Sequence, residues 1–339
     1  MDSLKTSRRH WLSRATAAIA ATGLGGYGTT HAAVDARRFG PTEPVGPQGP
    51  QGSWKRSPGG LTRWSIRSAG VYENYLIDME FNEHDAIRIE ADGTTLRHCE
   101  LRNGRKDAIE VYANDVRIEN CRIHHFLAGT FKDQADAHGI TGRSHRLTIR
   151  NCEIAYCSGD AWQMDPGRGD WSDVTLEHCD IWTGPLSDDA AGFHQGEQPG
   201  ENGVDTKQSL TNQRSRLTIR NCIFHGFSES GYIGMPAALN LKDHVEVQVD
   251  NCVFYNNYVA LRLRGPGSRG GANVTVKDCY FYDCVTAIRT EDRIENLAII
   301  NPRFGRGVQQ RYQQVGGTPP GLRVEGEQDA PPLEALLSG

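Results

Sequence analysis

Two lysines in the middle of the chain have the residue type and spacing for proton abstraction. Lys207 and Lys242 each end a six-residue segment of the same pattern, 202–207 and 237–242. Two ammonium groups held close together repel each other, which favours loss of one proton and leaves an amine that can act as a base. The charged groups that accompany them are Asp165, Glu201, Asp205, Arg262 and Arg264. This set predicts a surface that suits a polyanion and that carries an amine able to act as a base.

A repeated strand pattern that contains a cysteine must position these residues. Copies such as 116–123 and 147–154 alternate apolar and polar residues, which is the spacing of a β-strand, and a polar residue stands just before the cysteine. The repeated cysteines, 22 to 43 residues apart, are Cys99, Cys121, Cys152, Cys179, Cys222, Cys252 and Cys279. Because no copy can form a core alone, the repeat predicts short strands stacked coil upon coil.

A second strand pattern of six residues lies between these copies. Its rows are 85–90, 107–112, 136–141, 160–165, 202–207, 237–242, 259–264 and 286–291. The fourth and sixth residues of each row are expected to point outward, and stacked rungs lie about 4.8 Å apart. The residues that this alignment predicts to protrude side by side into solvent are Asp205, Lys207, Lys242 and Arg264.

The row 136–141 contains a histidine and an acidic group that could suggest a metal site. The alignment puts Gly139 in the fourth position and His138 in an inward position. We therefore expect His138 to be a buried histidine with a hydrogen-bond partner.

With about three short strands per coil, the chain resembles the right-handed parallel β-helix proteins of the pectate-lyase-like superfamily. The resemblance covers roughly residues 61–304 and implies an all-β fold, a single right-handed parallel β-helix of about eight or more turns. The expected regions are a signal peptide (1–33), a Pro/Gly-rich linker or cap (34–60), the β-helix (61–305) and a C-terminal tail (306–339).

The first 33 residues resemble a twin-arginine export signal. Arg8 and Arg9 precede a mildly apolar Ala/Gly-rich stretch and a run of small residues. The resemblance implies an exported protein, periplasmic or extracellular. The chain nevertheless has nine cysteines, an odd number, so we expect buried, reduced thiols rather than a disulfide framework.

The resemblance also implies a function. Several lyases of acidic polysaccharides in this superfamily bind Ca²⁺ through outward acidic residues and remove the proton beside the sugar carboxylate with an outward Lys or Arg. Carried over to this chain, Lys207 is the expected base, Lys242 is the second choice, and Arg264 is also expected in the catalytic centre. The expected Ca²⁺ ligands are Asp165, Asp205 and Glu201, since Ca²⁺ takes about six to eight oxygen ligands.

Other residues are candidates for holding the polysaccharide. Arg262 and Arg264 have forked guanidinium groups that suit the carboxylates of flanking sugars. Tyr112 could stack on a sugar ring. His194 lies in the longest insertion between repeats, a long loop of the kind that often carries function.

Several alternatives stay open. A glycoside hydrolase would need two carboxylates about 5–5.5 or 6.5–9.5 Å apart, a uronate C5-epimerase would need a second acid/base, and a non-catalytic carbohydrate-binding or surface protein would need neither. The formal net charge of −5 argues against nucleic acid as a partner. No stretch of about 18 apolar residues exists to span a membrane. We expect a monomer.

Overall fold

The computed structural model describes residues 39–164, 167, 169–207, 213–264, 271–291, 294–316, 318–319 and 321–338. The predicted signal peptide and the predicted calcium ligand Asp165 lie outside these residues. Both therefore stay predictions.

Short strands stack in register into three parallel ladders, one strand of each ladder per coil. The first ladder contains Lys55–Arg56, Tyr75–Asp78, Glu100–Gly104, Arg122–Phe126, Glu153–Cys157, Asp180–Trp182, Ile223–His225, Val253–Leu263, Tyr280–Thr290, Arg303–Phe304 and Gln328–Asp329. The second ladder contains Trp64–Ile66, Ile87–Ile89, Ile109–Val111, Ile140–Gly142, Trp162–Met164, Asn202–Asp205, Ala237–Leu241, the later halves of Val253–Leu263 and Tyr280–Thr290, and Gln310–Gln314. The third ladder contains Val71–Glu73, Thr95–Arg97, Arg117–Glu119, Thr148–Arg150, Val174–Glu177, Ser215–Arg220, Val245–Asp250, Asn273–Lys277, Asn296–Ile300 and Arg323–Glu325. The predicted all-β parallel coil is confirmed.

Few other elements occur in the described residues. Ala128–Thr130 and Asp133–Ala135 form an antiparallel hairpin, Gln51–Ser53 is a short 3-10 helix, and Leu333–Leu337 is a short α-helix. Residues 306–339, expected as a tail, add strands to all three ladders before that helix. No helix among the described residues is long and apolar enough to cross a membrane.

The interior is filled by columns of like residues. All nine cysteines are buried and unpaired, as predicted. Beside them Phe224, Phe254, Phe281 and Phe304 stack with ring centroids 5.3 Å apart. Each coil contributes only a thin slice of this core, so the stability of one coil depends on its neighbours.

The polar residue before each repeated cysteine turns the corner from the third ladder into the first. Asn120, Asn151, Asn221 and Asn251 all have left-handed φ angles of 50° to 56°. Asparagine tolerates this conformation because its short amide can hydrogen-bond locally. The side chain of Asn251, for example, donates to that of Asn221 over 2.7 Å.

Residues 39–54 run along this corner in the direction opposite to the coil order, and we call them the strap. Backbone N–H groups of the strap donate to residues from successively earlier coils: Asn221, Asn151, Asn120 and Asn74. The strap ends in the first strand of the first ladder. The Pro/Gly-rich segment thus ties together coils that are far apart in sequence.

Candidate active site

The register of the second ladder aligns the predicted polar residues. Asp205 pairs with Gln163 on one side and with Asn240 on the other, and Asn240 pairs with Arg262. Val204, one residue before Asp205, is in the core. The predicted outward column therefore exists in the middle of the β-helix.

The row 136–141 is out of register with its predicted position by two residues. Ile140 pairs with Ile109 and with Trp162, so Thr141, not Gly139, stands in the outward column. The alignment was wrong because Asp136 and Ala137 resemble the first two residues of the neighbouring rows, Asp107-Ala108 and Asp160-Ala161, without occupying their positions.

His138 consequently lies at the corner of its coil, at the same level as Asp160 on the next one. It is buried, its Nδ1 accepts the backbone N–H of Asp160 over 3.0 Å, and its Nε2 lies 3.2 Å from the amide nitrogen of Gln163. The prediction of a buried, hydrogen-bonded histidine is confirmed, although its inward position in the row is not.

Asp205 is covered, with only 3% of its surface exposed, so the prediction that it protrudes into solvent is wrong. Polar neighbours cover it. Nζ of Lys242 lies 2.9 Å from its Oδ1, and Nζ of Lys207 lies 3.9 Å from its Oδ2. The amide of Asn240 also donates to Oδ1 over 2.8 Å. The two lysines meet as predicted, but they share a carboxylate, and each side chain stays partly exposed.

Three loops that lead from the first ladder into the second form a wall beside these residues: 127–139, 183–201 and 226–236. The backbone N–H of Gly200 donates to the side chain of Gln134, and the side chain of Gln198 donates to the backbone oxygen of Glu229 over 3.0 Å. Leu127, Leu186 and Phe193 form a small buried core between the first two loops. Because the loops are fastened to one another, the wall is a fixed border of the surface that carries the two lysines, and we call this surface the cleft.

His194 belongs to this wall but not to the lysine cluster. Its side chain is 75% exposed, and Nδ1 lies 3.5 Å from Asp189 in the same loop. The predicted role in substrate binding stays a prediction.

A column of polar corner residues lies beneath the wall. Asp160 accepts hydrogen bonds from the backbone N–H and the side-chain amide of Asn202, over 3.2 and 2.9 Å. Asn202 in turn accepts the backbone N–H of Ala237 over 3.1 Å. Each corner side chain thus satisfies a backbone donor of a neighbouring coil, which fixes Asp160 rigidly beside the cleft.

Three carboxyl groups of this region have strongly raised pKa values. Burial is the main cause in each case, and it raises the pKa of Asp160, Glu201 and Asp205 to about 7. Neighbouring carboxylates raise these pKa values further: Glu201 acts on Asp160, and Asp160 acts on Asp205. The pKa of Glu201 is raised by both Asp136 and Asp205. The two lysines lower the pKa of all three groups, but by less. A carboxyl group with this pKa can donate or accept a proton near neutral pH.

The expected substrate arginines lie beside the lysines and surround a carboxylate of the protein. Nε of Arg262 lies 2.9 Å from Glu291 Oε1, Nε of Arg264 lies 3.0 Å from Oε2, and Nε of Arg289 lies 2.8 Å from Oε1. The hydrogen bonds of Arg262 and Arg289 lower the pKa of Glu291, although its burial opposes them. We call Arg262, Arg264, Arg289 and Glu291 the arginine cluster. Three guanidinium groups around one carboxylate leave an excess of positive charge.

Tyr112 lies on the same face, nearer the N-terminal end of the β-helix. The guanidinium carbons of Arg88 and Arg143 lie 4.9 and 5.8 Å from its ring centroid. Cation–π contacts of this kind occupy the aromatic surface that a sugar ring would need. The predicted stacking on substrate would require these arginines to move.

The described residues do not fit a calcium site at Asp205. Both of its carboxylate oxygens face lysine ammonium groups, which repel a divalent cation. Within the described residues, the carboxylates that bring three ligand oxygens within 4.8 Å of one another are those of Asp85, Asp107 and Glu110, outside the lysine cluster. The Ca²⁺ prediction therefore depends on Asp165.

Sequence reasoning placed three further members of this region in its rows but did not predict their contacts. Asp160 begins the row 160–165 and received no role of its own, although its place beside Asn202, which begins the next row, could have been inferred from the alignment. Glu291 stands in the sixth position of the last row, one rung from Arg264, which was a readable signal for an ion pair. Asn240 was aligned correctly, but its hydrogen bond to Asp205 depends on side-chain packing.

Comparisons with known proteins agree with this architecture. A profile of the right-handed β-helix region matches residues 85–233. Pectate lyase Pel9A aligns with a TM-score of 0.54 and 12% identity, covering 85% of this chain and 72% of that chain. The A-module of mannuronan C-5 epimerase AlgE6 from Azotobacter vinelandii aligns with a TM-score of 0.49 and 15% identity, covering 82% of this chain and 77% of that chain. An alginate lyase from Paenibacillus sp. str. FPU-7 aligns with a TM-score of 0.44 and 16% identity, covering 78% of this chain and 83% of that chain.

A search of curated proteins finds no significant match. At these identities the structural similarity concerns the fold. The β-helix profile, the alignment with Pel9A and the three parallel ladders together define a right-handed parallel β-helix with a pectate-lyase-like fold, and the predicted fold class is confirmed.

Proposed function

We propose that the chain is a lyase that cleaves an acidic, uronic-acid-containing polysaccharide by β-elimination in the cleft of the second ladder. The observation that carries the proposal is the cluster of Lys207 and Lys242 on the covered carboxylate of Asp205, one coil away from the arginine cluster. A row of cationic groups along a cleft attracts an anionic polymer.

The proposed reaction begins with the proton at C5 of a uronic residue. Lys207, as the neutral amine, takes this proton, and the electron pair of the C–H bond becomes the double bond between C4 and C5. The bond between C4 and the glycosidic oxygen breaks, and the leaving oxygen takes a proton from Glu201, whose pKa of about 7 keeps part of the population protonated at neutral pH. Lys242 and Arg264 neutralise the sugar carboxylate, which stabilises the carbanion.

The contacts of the two lysines favour Lys207 as the base. Lys242 is in a close ion pair with Asp205 at 2.9 Å, and its side chain is 22% exposed. Lys207 is 3.9 Å from the same carboxylate, and its side chain is 34% exposed. Lys207 is therefore freer to reach a substrate. Pectate lyase Pel9A, which has a similar fold, has a name that fits this reaction class.

A second candidate is a glycoside hydrolase. The observation in its favour is that two carboxyl groups of the cleft, Glu201 and Asp205, have pKa values of about 7. Hydrolases use such a pair as acid and base or as acid and nucleophile. The covered position of Asp205 beneath two lysines favours the lyase, because a nucleophile must reach the sugar.

The products distinguish these activities. The purified protein is incubated with a panel of polyuronates, and ultraviolet absorbance is recorded together with reducing ends. A lyase forms unsaturated products that absorb, whereas a hydrolase forms reducing ends without absorbance. An epimerase changes the uronate composition with neither signal, and a binding protein changes nothing. Reducing ends without absorbance on every substrate cleaved would contradict the lyase.

We also expect the activity to survive removal of metal ions. The ion pairs of Asp205 leave the described carboxylates of the cleft without a ligand set for Ca²⁺. Initial rates are compared after dialysis against EDTA and after addition of CaCl₂ or, as a control for ionic strength, NaCl. Loss of activity in EDTA that CaCl₂ alone restores would support the predicted calcium site that includes Asp165.

A further inference from the structure

A surface cavity lies on the same face as the lysine cluster, at the N-terminal end of the second ladder. Its volume is about 370 Å³, and its lining includes Arg63, Ser65, His84, Asp85 and Lys106. Ser65 belongs to the outward column that continues through Arg88 to Glu110. The cavity is therefore three to five coils from Asp205, a distance of about 14–24 Å at the spacing of stacked strands.

The charges of the cavity fall into two groups. Two carboxylates, Glu83 and Asp85, line the cavity, and Glu110 lies close by. Each has an arginine partner: Arg105 lies 3.8 Å from Glu83, Arg63 lies 3.5 Å from Asp85 and 3.8 Å from Glu110, and Arg88 lies 2.6 Å from Glu110. Among the described residues, no carboxylate lies within 4.0 Å of the Lys106 ammonium or the His84 ring. The cavity thus offers an ammonium group and an imidazole ring that have no acidic partner, and a metal cation at the acidic cluster would have to displace two guanidinium groups.

The face between the cavity and the lysine cluster is also cationic and polar. Arg88 and Arg143 lie over Tyr112, and the outward column continues beneath the surface through Thr141 and Gln163, which are buried. An anionic chain that follows this face from the cavity passes arginines first and then reaches Lys207 and Lys242. The volume of the cavity falls within the range of small-molecule sites, about 300–1,000 Å³.

We propose that this cavity is a second binding site for an acidic sugar, in which Lys106 and His84 hold the carboxylate of a uronic residue several coils away from the lysine cluster. The role of this site depends on the proposed function, since the site would hold a distant part of the polysaccharide that the lyase cleaves. Its ligand chemistry rests on the cavity alone.

The direct test uses D-glucuronate as the probe and neutral D-glucose as its control. The ring resonance of His84 is assigned by NMR from the spectrum of a His84→Gln variant, and each sugar is titrated into the full chain. We expect glucuronate to shift the His84 resonance and glucose to leave it unchanged. Lys106→Ala should abolish the shift, whereas Lys277→Ala, which removes an exposed lysine of the third ladder, should preserve it.

A His84 resonance that does not respond, or that responds equally to both sugars or in Lys106→Ala, would overturn the proposal. A response to CaCl₂ in place of glucuronate would also overturn it, in favour of a cation at Asp85, Asp107 and Glu110. This experiment does not depend on catalysis. If the proposed lyase is wrong, unsaturated product is absent while the glucuronate shift persists.

A kinetic consequence separates the second site from the catalytic centre. For a polysaccharide long enough to reach the cavity, Lys106→Ala should raise KM about tenfold, the equivalent of about 1.4 kcal/mol. The KM for a short oligosaccharide, and kcat for both substrates, should stay as in the wild type. An equal rise of KM for short and long substrates would argue against a distant site.

Discussion

Replacing Lys207 by alanine is expected to abolish turnover of the acidic polysaccharide while leaving the fold intact. The side chain is partly exposed, and its contact with Asp205 is a long one of 3.9 Å, so little packing is lost. Removal of a positioned general base costs about 10²–10⁴-fold in rate. The measurement is the initial rate of ultraviolet absorbance at saturating substrate, with circular dichroism and thermal unfolding to confirm the fold.

Lys277→Ala is the matched control, because it removes a partly exposed lysine from another face of the same β-helix. It should retain the wild-type rate. A folded Lys207→Ala protein with full activity would remove Lys207 from the mechanism. Lys242→Ala would then be the next variant to test, although it also leaves the covered carboxylate of Asp205 without its closest counter-ion.

Asp160→Asn is expected to stabilise the protein at slightly alkaline pH and to flatten the pH dependence of its stability. Burial raises the pKa of Asp160 from the ordinary 3.8 to about 7. Between these two values the folded protein binds more protons than the unfolded chain. The contribution of Asp160 to the free energy of unfolding therefore falls as the pH rises through this window, and the loss is complete above the folded pKa.

Asparagine carries no charge at any pH in this window, and its side-chain oxygen can still accept the hydrogen bonds from Asn202. At about 1.4 kcal/mol per pKa unit, the variant should be more stable than the wild type by about 2–4 kcal/mol near pH 8. Near pH 4 the two proteins should be similar. Urea unfolding at a series of pH values measures the difference.

The control for this experiment is Asp133→Asn, because Asp133 is an exposed carboxylate of the neighbouring hairpin and contributes to none of the three raised pKa values. Its stability should follow that of the wild type across the series. If Asp160→Asn loses stability at alkaline pH as steeply as the wild type, Asp160 is not the group that titrates near pH 7.

The sequence was sufficient to predict the column of Gln163, Asp205, Asn240 and Arg262, because their rows are alike and a strand alternates its side chains with a fixed period. It was not sufficient for the row 136–141. There Asp136 resembles the first residue of its neighbours, and only the pairing of Ile140 reveals a shift of two residues.

The covering of Asp205 and the pairing of the arginines could not be predicted for a different reason. The alternation of side chains along a strand predicts the side of the sheet on which a residue lies, but it does not predict which loops cover that residue. The wall consists of loops whose mutual contacts, such as Gly200 with Gln134, join residues 66 positions apart and leave no repeated pattern. The buried cysteines were predictable because their column is itself the repeat.

The strap has a consequence for how the molecule comes apart. Stacked coils that touch only their neighbours can peel away one at a time from an end. Hydrogen bonds from Thr42 to Asn151 and from Gln48 to Asn74 bridge more than one coil, so the N-terminal coils cannot fray without first releasing this segment. The coils that the strap joins, from that of Asn74 to that of Asn221, are therefore expected to unfold together.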